Sequence, residues 1–290
     1  MLEALLVSIA KQRYDAFGME TIVVDNDHAG SARSVVDAVC RRFPEMSVRY
    51  AIEPEQGISF ARNRSVSMAS GELIAFIDDD ETAGGEWLAD LYKELMRTAA
   101  DAVLGPVLPE YPEGTPQWII RSRYFERPRQ SSGTVVQAEN TRTSNALVRT
   151  AWLRRRTPCC FLPEFAHSGG GDHDFFKWMI AEGGRIVWCD TASVFEIVTR
   201  DRQRLSWMLE RRFRRSVTYW RGIYAGRRPF SILIHIALGL FGGGMMMIWG
   251  AMISLRGIHR TVRIWAKAMG GFGRLFALTN IRLIGYRKVS

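Results

Sequence analysis

Gly71-Glu-Leu-Ile-Ala-Phe-Ile-Asp-Asp-Asp-Glu81 decides the fold. Leu73 to Ile77 reads as a short buried strand, β-branched and aromatic, with no polar face of its own. Carboxylates crowded at the end of such a strand raise one another's pKa, a cost that a hard divalent cation removes by taking their oxygens. In open α/β sheets, ligands sit outside the carboxyl ends of strands, which is where Asp78, Asp79 and Asp80 fall. The alternative is an acidic cluster capping the next helix, Glu86 to Met96, where negative charge suits the helix dipole. One Asp would serve that purpose; three Asp and Glu81 exceed it.

Working outward, strands and helices alternate. A helix over residues 2–12 carries Leu2, Leu5, Leu6 and Ile9 at helical spacing, and Thr21 to Val24 forms a strand ending at Asp25. A helix from Ser34 to Phe43 precedes a strand from Ser47 to Ile52. Gly57 to Ser70 is helical, residues 86–99 are helical, and Ala102 to Val107 is the next strand. This alternation predicts an α/β, Rossmann-like, doubly wound, mostly parallel sheet. Pro109 to Gln137 reads as a long loop, a lid or a substrate-facing segment. The pattern resumes at Thr143–Arg149, passes through Gly169-Gly-Gly-Asp172-His-Asp174-Phe-Phe176 into a helix, and reaches a strand at Arg185–Cys189. A basic helix, Arg202 to Tyr219, follows. Two domains are expected: residues 1–222, and a membrane-associated helical hairpin with a basic tail over 223–290.

The net charge of +9 is a property of the tail. Eight Lys/Arg and no acid follow Leu255, whereas the preceding 255 residues hold 31 basic and 30 acidic side chains. A local anionic surface is therefore the expected partner, and nucleic acid is not, although aromatics interleaved with the tail's basic residues keep RNA as a weaker rival. The four cysteines lack CxxC spacing, which argues for buried thiols and against zinc or a disulfide framework. The amphipathic start, with its early acid and no cleavage site, does not read as a signal peptide and puts the body in the cytoplasm.

Phe230 to Leu255 is 26 residues long, with His235 its one ionisable group. It is long enough to span a bilayer, but both flanks are basic (Arg227 and Arg228 before, Arg256, Arg260 and Arg263 after). A single span would export the tail's positive charge, so a re-entrant hairpin or interfacial pair kinked at Gly239 and Gly242–Gly244 is expected. Residues 256–268 suit an interfacial helix on anionic lipid.

Other residues admit two readings each. Asp25 suits a base or ribose, or an Asx turn. Arg62 and Asn63 suit a ligand, or a solvated helix face. The glycines before Asp172 allow close backbone approach, and Asp172 and Asp174 read as N-caps or as a general base. His173 is a loop histidine or a ligand. Arg211 and Arg212, within an arginine-rich helix, suit bidentate phosphate binding.

Taken together, these elements resemble the family-2, GT-A-fold inverting glycosyltransferases, particularly the bacterial exopolysaccharide enzymes of succinoglycan type. The matching pieces are Val-Val-Asp25, Gly57-Ile-Ser-Phe-Ala-Arg-Asn63, Gly71 to Asp80, Ser144-Asn145, Gly-Gly-Asp172 and Arg211/Arg212. The resemblance implies that Asp78 and Asp80 hold Mg2+ or Mn2+ on a nucleotide-sugar diphosphate, and that Asp172 is the catalytic base. It further implies donor contacts from Asp25, Arg62, Asn63, Asp79, Arg211 and Arg212. The expected donor is a UDP-sugar, and the expected acceptor a glycan, for instance one linked to polyprenyl diphosphate. The expected place is the cytoplasmic face of the bacterial inner membrane. Two features depart from the pattern: Gly171 stands where the family has Glu before Asp172, and Met1 falls inside the helix that should follow a first strand. The second departure implies either an earlier start or a weakened donor site. A catalytically impaired, membrane-bound nucleotide-binding or assembly protein is the alternative.

Overall fold

The computed structural model describes residues 1–12, 18–167, 169–224, 229–255 and 257–279. Arg227, Arg228, Arg256 and the tail from residue 280 onward, all invoked above, lie outside the described residues. In chain order the first elements are α1 (Leu2–Ala10), β1 (Thr21–Asp25), α2 (Arg33–Arg42), β2 (Val48–Ile52), α3 (Ile58–Met68), β3 (Leu73–Phe76) and β4 (Glu81–Ala83). Then come α4 (Trp87–Thr98), β5 (Ala102–Leu104), β6 (Val107–Glu110), α5 (Gln117–Ser122), β7 (Ala146–Arg149), α6 (Thr150–Arg155) and α7 (Gly171–Ala181). The last are β8 (Ile186–Trp188), β9 (Val194–Ile197), α8 (Leu205–Tyr224), α9 (Pro229–Ser254) and α10 (Ile258–Phe276). The chain divides into two compact units, residues 1–109 with 127–196, and residues 110–126 with 197–290. The expected boundary at 222/223 falls inside the second unit, within the last turn of α8.

In the first unit, β1 pairs in parallel with β2, and a four-stranded sheet runs in the order β3-β7-β5-β8. Strand β7 is antiparallel to both β3 and β5, while β5 and β8 are parallel. Three of the four strands therefore share a direction and one, β7, is reversed, which agrees with the expected mostly parallel sheet. Both of its faces are buried. Ala102, Leu104, Ala146, Val148, Ile186 and Trp188 pack against Phe175, Phe176 and Met179 of α7, while Val103, Leu147 and Val187 pack against Trp87, Leu91 and Leu95 of α4. Alternate residues of each short strand thus serve opposite helical layers, which is why these strands read as continuous apolar runs. Deleting the side chain of the fully buried Leu91 is expected to cost about 2–5 kcal/mol.

The expected strand from Ala102 to Val107 is broken in two. Gly105 sits where a β-carbon would lie 2.5 Å from Asn145 Nδ2, and that amide donates to Pro106 O (2.8 Å) and Ala192 O (2.7 Å). The interruption turns β6 into a separate three-stranded sheet, β4-β9-β6. The stretch from Pro109 to Gln137, expected to be irregular, contains the end of β6, the helix α5 and a bridge from Val135 to Val187.

In the second unit, α9 is one continuous helix through its glycines, so the expected kink at Gly239 and Gly242–Gly244 is not present. Helix α10 opens at Gly257, whose φ is 115° and whose N–H donates to Ser254 O (3.0 Å). The glycines act as contact points. A β-carbon at Gly239 would lie 2.7 Å from Gly271 O, and one at Gly243 would lie 3.1 Å from Ala268 O. Small residues let two helix backbones approach, and that packing offsets the roughly 1 kcal/mol of propensity a helical glycine loses to alanine. Ser216 of α8 donates to Gly270 O on the other side of α10 (2.5 Å). The outer face of α9 exposes Leu233, Phe241 (73%), Ile248 and Met252. Over Phe230–Ser254, with a mean hydropathy of 1.9, α9 is long and apolar enough to cross a membrane.

Candidate active site

The site lies in the first unit, at the carboxyl end of β3. After Phe76 the chain makes a turn in which Glu81 N–H donates to Asp78 O (3.1 Å), placing Asp79 and Asp80 at its corners. Burial pushes the Asp78 carboxyl up to about 6; Arg62 opposes this, and the charges of Asp80, Asp172 and Asp79 reinforce it. The Asp78 side chain keeps 43% exposure, so water reaches its carboxylate. Arg62 Nη2, on α3, stands 3.8 Å from Asp78 Oδ1, and its guanidinium lies over the Phe161 ring at 5.6 Å.

Asp172 arrives from the other side. Gly169 and Gly170 take φ of 77° and 99°, a conformation L side chains rarely adopt, and so deliver the chain into α7. Asp172 lies in the first turn of α7 and accepts from His173 N–H (2.9 Å). Its neighbours are engaged elsewhere: Asp174 Oδ2 pairs with Arg156 Nη2 at 2.7 Å, and His173 Nδ1 is 2.9 Å from Ala138 O. Asp174 is thereby anchored on Arg156, which separates its role from that of Asp172. Asp78, Asp79, Asp80, Asp172 and Arg62 thus form one electrostatic neighbourhood.

Asp25 and Asn63 are occupied by the fold. Asp25 Oδ1 accepts from Asp27 N–H (3.0 Å), and Oδ2 accepts from Ala32 N–H (2.8 Å) and from the Tyr50 hydroxyl (2.8 Å). The Asx-turn geometry is therefore realised, and burial together with the Asp25 bond pushes the Tyr50 phenol up to about 12. Asn63 clamps the backbone of Phe161: Nδ2 donates to Phe161 O (2.8 Å), and Oδ1 accepts from Phe161 N–H (3.0 Å). Asn26, not singled out in the sequence, donates to Glu53 O and Glu55 O and accepts from Gly57 N–H, fastening the loop that opens α3 to the end of β1.

Beneath the aspartates lies Glu81, 1% exposed. Its Oε2 accepts from Asp78 N–H (3.1 Å), and it sits opposite Glu196 in the β4–β9 register. Arg127 Nη2 pairs with Glu196 Oε2 at 2.6 Å. Burial first, then the Asp78 charge, pushes the Glu81 carboxyl up to about 8. Nothing in the sequence spacing links Glu81 to Arg127 and Glu196.

Arg211 and Arg212 lie on α8 of the second unit. There Arg211 stacks over Trp207 (4.9 Å), Trp207 stacks on Phe125 (6.1 Å), and the positive charges of Arg211, Arg215 and Arg212 bear on Tyr124. Arg202 and Arg204, expected inside the basic helix, precede α8, Arg202 in a 3-10 turn. Among the described residues, no group of three or more His, Cys, Asp or Glu side chains is gathered as a metal cage.

The fold is that of GT-A transferases. TarS of Staphylococcus aureus, solved in complex with UDP, superposes with a TM-score of 0.53 at 20% identity, covering 94% of this chain and 85% of that one. The mannosyltransferase PcManGT of Pyrobaculum calidifontis, solved with GDP-Man and Mn2+, gives 0.61 at 18% identity, covering 93% and 81%. The sequence profile of Glycosyl transferase family 2 matches residues 1–159, and the chain belongs to that family. Succinoglycan biosynthesis protein ExoM of Rhizobium meliloti (strain 1021) is 38% identical over 280 residues, which cover 94% of this chain and 87% of that protein. By family, this chain is thus a glycosyltransferase.

Proposed function

We propose that this protein transfers a hexosyl unit from a nucleotide-diphosphate sugar to a growing surface glycan, with inversion at the anomeric carbon, in exopolysaccharide synthesis. The observation that carries the reading is the convergence of Asp78, Asp79, Asp80 and Arg62 with Asp172 at one strand end. UDP and GDP-Man in the structurally similar transferases favour a nucleotide-sugar donor, and the likeness to ExoM favours an exopolysaccharide product.

In this reading Asp172 accepts the proton of the acceptor hydroxyl as that oxygen attacks and the bond to the diphosphate breaks, one displacement giving inversion. The donor set suits a divalent cation: oxygen ligands only, and an Asp78 carboxyl already raised by burial and, to a lesser degree, by the neighbouring aspartates. Asp78 and Asp80 would hold Mg2+ or Mn2+. The bound cation supplies Lewis-acid stabilisation of the departing diphosphate. Arg62 balances the carboxylate charge beside it. Arg211 and Arg212 on α8 carry the planar guanidinium groups that suit bidentate phosphate binding. The apolar outer face of α9 attaches the protein to the cytoplasmic leaflet of the inner membrane, where basic residues of α10 meet anionic headgroups and a lipid-linked acceptor is delivered.

A panel of UDP- and GDP-sugars offered to membranes holding the full chain, with Mn2+, with Mg2+ and with EDTA, tests the proposal. Cation-dependent release of nucleoside diphosphate with an inverted product by NMR is the expected result. Nucleotide binding without turnover on any donor would return the chain to the nucleotide-binding alternative.

A further inference from the structure

The turn bearing the aspartates is closed twice by one residue. Glu81 N–H donates to Asp78 O (3.1 Å), and Glu81 Oε2 accepts from Asp78 N–H (3.1 Å). The backbone of Asp78 is therefore held through both its polar groups, which fixes the peptide planes on which Asp79 and Asp80 are mounted. The Glu81 side chain is 1% exposed, far more enclosed than a turn-closing carboxylate needs to be. Behind it, the β4–β9 register sets Glu81 opposite Glu196, and Glu196 is gripped by Arg127, whose other terminal nitrogen reaches Ser144 Oγ (3.4 Å). Three chain segments, 78–83, 127–144 and 194–196, meet at this floor within one unit. A buried acid backed by a half-buried acid and arginine is costly unless it secures something. What it secures here is the orientation of the Asp78–Asp80 carboxylates.

We propose that Glu81 is a positioning residue of the transfer reaction. Its carboxyl, backed by Arg127 and Glu196, holds the Asp78–Glu81 turn in the geometry that presents carboxylates to the cation and diphosphate of the donor. The inference rests on the donor site proposed above. Outer-shell groups of this kind change metal affinity or activity on the order of 10–100-fold when removed.

The test compares Glu81→Ala, Glu81→Gln and Arg127→Met in the full chain. Calorimetry follows UDP with Mn2+, electron paramagnetic resonance follows Mn2+ alone, and donor kinetics separate KM from kcat. Glu81→Ala is expected to weaken Mn2+ and Mn2+-UDP binding by about 10-fold or more and to raise donor KM more than it lowers kcat. Glu81→Gln keeps an acceptor for Asp78 N–H and should recover most of that loss. Arg127→Met should shift the same constants in the same direction by less, and it carries the test should Glu81→Ala fail to fold. Wild-type constants in Glu81→Ala, or in Arg127→Met where that variant stands in, overturn the inference. So does a Glu81→Gln variant as defective as Glu81→Ala, because the carboxylate would then be acting on the ligand directly. A wild-type protein that binds neither UDP nor GDP with either cation overturns the donor site itself, and this inference with it.

Discussion

The floor of the site should make the protein less stable as pH rises through neutrality. Glu81 is raised from 4.5 to about 8, mainly by burial, so the folded state holds its proton over a range in which the unfolded chain has lost it. For a carboxyl raised on folding, the native state binds more protons than the unfolded one. The contribution is then fully present below the unfolded pKa of 4.5 and is lost as pH climbs to about 8. Integrating that difference from pH 5 to pH 8, at 1.36 kcal/mol per unit, gives a loss on the order of 3 kcal/mol. The side chain is almost wholly enclosed, so solvent screening removes little of this. Asp78, raised to about 6, adds loss of the same sign mostly below pH 6, but its open side chain makes that part smaller. Glu20, lowered to about 2, acts in the opposite sense and is already fully ionised in both states above pH 5.5 or so. Urea unfolding of the full chain in EDTA at half-unit pH steps, for wild type and Glu81→Gln, isolates the effect. The wild-type curve should fall relative to the variant's by about 3 kcal/mol between pH 5 and pH 8. Parallel curves would refute the assignment of a neutral buried acid at Glu81.

Three further outcomes follow from the geometry. Asp172→Asn should keep UDP binding while lowering kcat on the order of 10²–10⁴-fold, and turnover at the parental rate would place the base elsewhere, with Asp174 held on Arg156. Asp80→Ala should abolish the Mn2+ dependence of UDP binding in calorimetry, and an unchanged titration would remove Asp80 from the cation site. In the helical unit, Gly239→Leu should destabilise the full chain in detergent by about 1–3 kcal/mol, because its side chain would meet the Gly271 carbonyl, whereas Gly242→Leu, with open space around it, should not. Equal thermal shifts for the two variants would contradict the α9–α10 packing.

What could be read from the sequence follows the length of the signal. β1, β2 and β8 were legible because short runs rich in β-branched and aromatic residues are bounded by turns, and α4 because its apolar positions recur at helical spacing. β4 and β9 were not. Glu81-Thr82-Ala83 has no apolar alternation, and its pairing with Val194–Glu196 depends on a partner more than a hundred residues away. Helix α5 hid among prolines because its six residues are too few to show a period. Glycine carried opposite meanings in α9. Alone, Gly239 to Gly244 read as a hinge; beside Gly271 and Ala268 of α10 they are the seam, and only the partner helix decides between the two.

The same asymmetry governs the site. The aspartates announced themselves because charge at the end of an apolar strand is locally anomalous, and Asp172 because three glycines precede it. Arg127 sits in a proline-containing stretch, and Glu196 in a strand with no evident pattern, so neither carries a local anomaly. Their connection to Asp78 exists only through the register that sets Glu81 against Glu196. Groups that meet a ligand must be chemically unusual for their neighbourhood, and a sequence records that. Groups that orient them need only be in the right place, and that place is fixed by strand pairing across the chain. The resemblance to a family could therefore nominate Asp78, Asp80 and Asp172, whereas the floor beneath them required the fold.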